Sequence, residues 1–278
     1  MMHNIAFFLP IFLLCLSARA QTIAVLVPES KAPSPISAST IESRLTGASL
    51  KVLDADLVRA AYASARPELP FNMTTAEAKR LGSAIGCNFI VLVKAADLRR
   101  SSLERSDYRE SYAAIYLISS RTGNLLYWTL ETAEADSAEA AKTKLSERLD
   151  EIAGQLRNEI LAAKRREGTT TSMPRLSAPE DFAGRKSFRA PIPYDRIKPE
   201  YTRIAYLYGT EGTVDIEVDI DEMGVVTNSD VTRWLGFGLD ESVEKAVRAM
   251  NWRPAELDGK PLAMRVLLRY NFKKIEKD

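Results

Sequence analysis

The sequence predicts an α+β chain: an N-terminal α/β sandwich on a mixed sheet, then a small unit made of a β-hairpin, a helix and a closing strand. Three observations predict it. A continuous apolar run at 22–27 and strand-like segments at 50–53 and 88–95 alternate with capped amphipathic segments, the order of strands and their covering helices. Residues 213–220 alternate between apolar and polar, mostly acidic, side chains, the period of a half-buried strand. Between these patterns, 167–199 carries Pro174, Pro179, Pro191, Pro193 and Pro199, which stop helices and favour extended backbone. A length of 278 residues leaves room for two domains.

The elements follow in order. Strand 22–27 is stopped by Pro28, and Ser39 or Thr40 caps a short helix reaching Leu45. After strand 50–53, Asp54 or Asp56 caps a helix that Pro67 ends. Thr74 and Glu77 have capping-box spacing, and Gly86 closes that helix. Cys87, at the entry to strand 88–95, reads as a buried structural thiol. Strands 112–119 and 125–131 flank a hairpin turn, and 137–166 is a long amphipathic helix in which Leu145, Leu149, Ile152, Leu156, Ile160 and Leu161 recur at helical steps. Residues 167–197 read as a Pro-rich linker, with an ordered loop wrapped on a domain as the alternative.

The last unit opens with a short helix in 198–207. Val214, Ile216, Val218 and Ile220 give the hairpin its packed face, and Gly224 supplies a turn residue free to take positive φ. Asp240 is placed as the N-cap of a helix buried through Val243, Ala246, Val247 and Met250. A turn at Asp258-Gly259 leads into the closing strand, 262–272.

Charge excludes some classes of function. Lys+Arg 38 against Asp+Glu 37 leaves a net charge of +1, without the basic excess of a nucleic-acid binder. The apolar run 5–18 is about 14 residues, short of the ~20 a membrane helix needs. With small residues at Ala18 and Ala20 it reads as a signal peptide, 1–20, cleaved between Ala20 and Gln21. An uncleaved inner-membrane anchor is the alternative, and Cys15 raises lipidation. The single histidine, His3, lies in the segment expected to be removed, so no catalytic set, metal site or cofactor is expected. Asp215, Glu217, Asp219 and Asp221 read as a solvated strand face, and 104–110 as a charged loop.

Two resemblances add to this reading. The opening IAVLVPES, SRLTGASLKVLDADLVRAA and TTAEAKRLGSAIGCNFIVLVKA make 22–166 similar to the TolB N-terminal-like domain and to curli-secretion-type envelope domains. Gly212, Val214, Gly224 and Val226, then Leu239, Asp240, Ala246, Val247, Arg248, Trp252, Pro254, Ala255, Asp258, Gly259, Lys260 and Pro261, make 198–278 resemble the TonB C-terminal domain. The sequence departs from that family at Thr202, where Pro is usual, and at 234–238, where a Ser-rich loop is usual.

The second resemblance implies a periplasmic, non-enzymatic coupling or adaptor protein. It would bind an extended segment of an outer-membrane transporter by strand addition. The expected contacts are Met264, Arg265, Val266, Leu267, Leu268, Arg269 and Tyr270, with Trp234 beside them. The same edge would suit a homodimer. Membrane contact is expected only with an uncleaved N-terminus, and nucleic acid is not an expected partner. A linker of about 35 residues reaches roughly 100 Å at ~3.1 Å per residue. That favours a periplasmic adaptor over a transducer with a long spacer. The alternative is an envelope-assembly protein whose N-terminal unit carries partner specificity.

Overall fold

A computed structural model describes residues 20–28, 34–47, 50–169 and 176–274. The signal-peptide reading apart from Ala20, with His3 and Cys15, lies outside them. The fold is α+β. Strands β1 (Gln21–Leu26), β2 (Leu50–Val52), β3 (Phe89–Arg100), β4 (Tyr108–Ser119) and β5 (Leu125–Ala135) form one sheet in the order β2-β1-β3-β4-β5. β1 runs parallel to β2 and β3, while β3, β4 and β5 are antiparallel, so the sheet is mixed.

Helices α1 (Ala38–Leu45) and α4 (Ala138–Thr169) cover one face, where Ile23, Val91 and Ile115 meet Leu45, Leu149 and Leu156. Helices α2 (Ala55–Ala65) and α3 (Thr75–Ile85) lie on the opposite face. Local signals set several boundaries. Thr74 and Glu77 form the capping box, and Gly86 ends α3 in the left-handed region. The cap of α1 is Ser37, ahead of the expected Ser39 or Thr40. Cys87 is buried and unbridged, and burial pushes its thiol pKa up. The region read as a charged loop is partly strand: Glu110 lies in β4, buried, and accepts from Arg100 and the Tyr208 hydroxyl.

A 3-10 turn (Pro179–Phe182) and strands β6 (Phe188–Arg189) and β7 (Ile192–Pro193) follow. All three fall in the stretch expected as linker. After α5 (Arg203–Leu207) come β8 (Gly212–Ile220), β9 (Val226–Arg233), α6 (Leu239–Arg248), β10 (Trp252–Arg253), β11 (Ala255–Leu257), β12 (Lys260–Leu262) and β13 (Met264–Phe272). β6 pairs with β11 and β7 with β10, so 188–193 is stitched onto the C-terminal unit. The main C-terminal sheet has the order β13-β8-β9, and α6 packs on its apolar face. Gly224 takes φ 82° in the β8–β9 turn. A Cβ there would lie 1.8 Å from the Trp252 carbonyl oxygen, so only glycine fits.

The two halves share a core. Leu92, Tyr116 and Ile118 of the five-stranded sheet belong to the same buried cluster as Ile216, Trp234, Phe237, Val243 and Phe272. Helices α2 and α3 are joined on that face by the loop 234–238, which buries Trp234, Leu235 and Phe237 there.

Candidate functional site

β13 is an edge strand. Its nine residues pair with β8 in unbroken antiparallel register, from Met264↔Ile220 to Phe272↔Gly212. Side chains alternate as a strand requires: Met264, Val266 and Phe272 are buried, Leu268 and Tyr270 half-buried, Leu267 and Arg269 exposed. The Arg265 N–H turns away from β8 and donates to the Ser177 carbonyl at 2.9 Å. By the alternation of an antiparallel ladder, the backbone groups of Leu267, Arg269 and Asn271 point the same way. Among the described residues, Ser177 makes the one backbone hydrogen bond on that side. The expected contact strand is therefore closed at its first outward position and open along the rest.

The polar face of this sheet is not the solvated row expected. Asp215 and Asp219 are buried. Asp219 accepts from Arg265 Nε and Nη2 at 2.6 and 2.7 Å, and Asp215 from Arg269 Nε and Nη2 at 2.7 and 2.9 Å. Arg233 of β9 reaches Asp215 from the other side at 3.3 Å. The hydrogen bonds from Arg265 hold the Asp219 carboxyl below its usual range. Burial works against ionisation of Asp215, and the two arginines outweigh it. Alternation in β8 marks a polar face, but arginines on its two neighbours turn that face into an ion-pair lattice. Among the described residues no group of three or more His, Cys, Asp or Glu is arranged to hold a metal ion.

The other edge, β9, is tied down at its C-terminal end. Arg233 forms a bridge with Thr74, and Trp234 N–H points to the Met73 carbonyl. Trp234, expected as a partner contact, is 1% exposed. Its indole donates to the Gly123 carbonyl at 3.2 Å, and its ring lies 5.8 Å from that of Tyr116. An aromatic beside flexible glycines looks like a surface anchor in sequence. Here those glycines let the loop fold inward onto the five-stranded sheet. Asn72 locks the same junction, donating to the Thr213 and Trp234 carbonyls at 2.7 and 2.8 Å and accepting from Thr213 N–H at 3.0 Å.

Asp240 also differs from its expected role. Gly238 occupies the cap position of α6, and Asp240 lies inside the first turn. Its carboxylate accepts from Leu235 and Gly236 N–H at 2.9 and 2.8 Å and pins the 234–238 loop. Burial lifts its pKa to about 7, against the pull of those two donors.

Residues 197–273 match the family model described as Gram-negative bacterial TonB protein C-terminal. The hairpin, helix and edge strand above lie inside that span. Over this span the chain is similar to TonB C-terminal domains. Protein TonB of Vibrio cholerae serotype O1 is 34% identical over 79 residues, 28% of this chain and 32% of that protein. The chain thus spans about a third of that relative's length. The solution structure of the Pseudomonas aeruginosa TonB C-terminal domain is similar at 24% identity, covering 34% of this chain and 94% of that one, with a TM-score of 0.27. Lipoprotein GNA1162 from Neisseria meningitidis is similar at 14% identity, covering 50% of this chain and 99% of that one, with a TM-score of 0.34. Within the matched span, the 234–238 departure from the family pattern is the segment that docks on the N-terminal half.

Proposed function

We propose that the protein is a non-enzymatic, exported adaptor of the cell envelope. In this reading its signal peptide is cleaved between Ala20 and Gln21. Its TonB domain takes up an extended segment of an outer-membrane transporter as an added strand on β13. The observation that carries the reading is the outward side of β13, unpaired in backbone from Leu267 onward among the described residues. Edge backbone supplies affinity, and the side chains of Leu267 and Arg269 flank the site and set register. An adaptor fits better than a transducer on a long spacer, because 188–193 is paired with β10 and β11.

The test is capture of a transporter from outer-membrane extract by the full chain and by Leu267→Pro. Proline there removes an outward N–H and leaves the β8 ladder intact, a position where an edge strand tolerates it. The expected result is at least a tenfold loss of capture at an unchanged melting temperature. Equal capture by the folded variant would remove strand addition on β13 from consideration.

A further inference from the structure

We infer that a small cavity where the two halves meet binds a carboxylate group, with Lys94 as its cation. The cavity, about 150 Å³, is lined among others by Phe71, Lys94, Tyr116, Thr210 and Leu235. At about 30 Å³ per water molecule, it holds a short carboxylic acid or the end of an acidic side chain. It draws Lys94 from β3 of the N-terminal sheet and Thr210 from the segment leading into β8.

Two groups in it lack the partners their chemistry calls for. Lys94 is half-buried, yet no hydrogen bond or ion pair of its ammonium is found among the described residues. Its recorded neighbour is the Phe71 ring, 5.9 Å from Nζ to centroid. Burial without a counter-charge lowers its pKa, the condition an incoming anion relieves. Thr210 is 4% exposed, and its hydroxyl makes no hydrogen bond among the described residues. The other polar groups are committed or weakly held. Asn72 spends its amide on Thr213 and Trp234, and the Tyr116 hydroxyl makes a long 3.4 Å bond to the Leu235 carbonyl.

Size and charge select the ligand class. One lysine balances one negative charge, and Pro70, Phe71 and Leu235 give a short carbon stem an apolar wall. Glu211 also lines the cavity, with its carboxylate accepting from Lys274 N–H at 2.8 Å. Its charge repels any incoming anion, a phosphate dianion about twice as strongly as a carboxylate.

The test is titration of the isotope-labelled full chain, followed by NMR, with propionate, propionamide, inorganic phosphate and the peptide acetyl-Ala-Glu-Ala-amide. Saturable shifts at Phe71, Lys94 and Thr210 with propionate or the peptide are expected, with little response to propionamide. Lys94→Met should weaken binding at least tenfold, and Thr210→Val about threefold. Tighter binding of propionate would identify a free acid as the source, and tighter binding of the peptide an acidic side chain. No saturable shift, equal binding of propionamide, preference for phosphate, or unchanged affinity in Lys94→Met would each overturn the site. Should Lys94→Met fail to fold, the propionamide comparison and Thr210→Val decide.

Discussion

The two edges of the C-terminal sheet start from similar chemistry and end differently. β9 and β13 each pair with β8 on one side, and each offers a second row of backbone groups. On β9 that row meets the N-terminal half: Arg233 bridges Thr74, and Trp234 follows it into the shared core. On β13 the row meets the Ser177 carbonyl at Arg265 and then runs free among the described residues. An open edge is a liability unless it serves a partner, and the chain ties each edge at one end, β9 to its own other half and β13 to the Ser177 segment.

The largest test of this contrast is Trp234→Ala. Removing a fully buried indole from the junction should cost about 3–5 kcal/mol, read as a lower urea midpoint. If β9 is tied down by that junction, new hydrogen exchange should appear at 231–233 and not along β13. Asp219→Ala comes next. It leaves Arg265, which is 19% exposed, with Glu217 as its remaining carboxylate at 3.1 Å, and should cost about 1–3 kcal/mol once solvent screening is allowed for. A loss confined to the β8–β13 pair would separate that pairing from the β9 junction.

The pH dependence sharpens the contrast further. A carboxyl held protonated to about 7 in the folded chain, against 3.8 in a model peptide, stabilises fully below the lower value. It loses that contribution as pH rises through the upper. Asp240 should therefore make stability fall between about pH 4 and pH 7, and Asp240→Asn should flatten that slope in denaturant titrations. Asp215 and Asp219, with lowered pKa, act in the opposite sense: their contribution is present above about pH 4 and fades as pH falls below it. The smallest effect belongs to Leu267→Ala. Its side chain is exposed on the open edge, so stability should change by less than about 0.5 kcal/mol, while capture of a transporter weakens.

What was legible in the sequence follows the range of the interaction. The Thr74–Glu77 box, the Gly86 stop and the Gly224 turn depend on residues close in the chain, and all are found in the structure. Asp240 was legible as a helix-start residue but not as the clamp on 234–238, because its acceptors' partners are set by how that loop folds back. The acidic row of β8 was legible as a polar face. Its pairing with Arg265 and Arg269 depends on a strand about fifty residues away, which periodicity does not address.

By itself, the sequence determined the order of helices and strands and the resemblance of 198–278 to the TonB C-terminal domain, because period, capping and turn chemistry act over a few residues. Only the tertiary structure decided that the two halves share one core, that Trp234 turns inward to Gly123, and that β9 ends against the N-terminal half while β13 meets Ser177. The Trp234–Gly123 contact joins groups 111 residues apart. Such contacts form where burying a large apolar surface outweighs the entropy of ordering the chain between them, and that balance belongs to the whole fold.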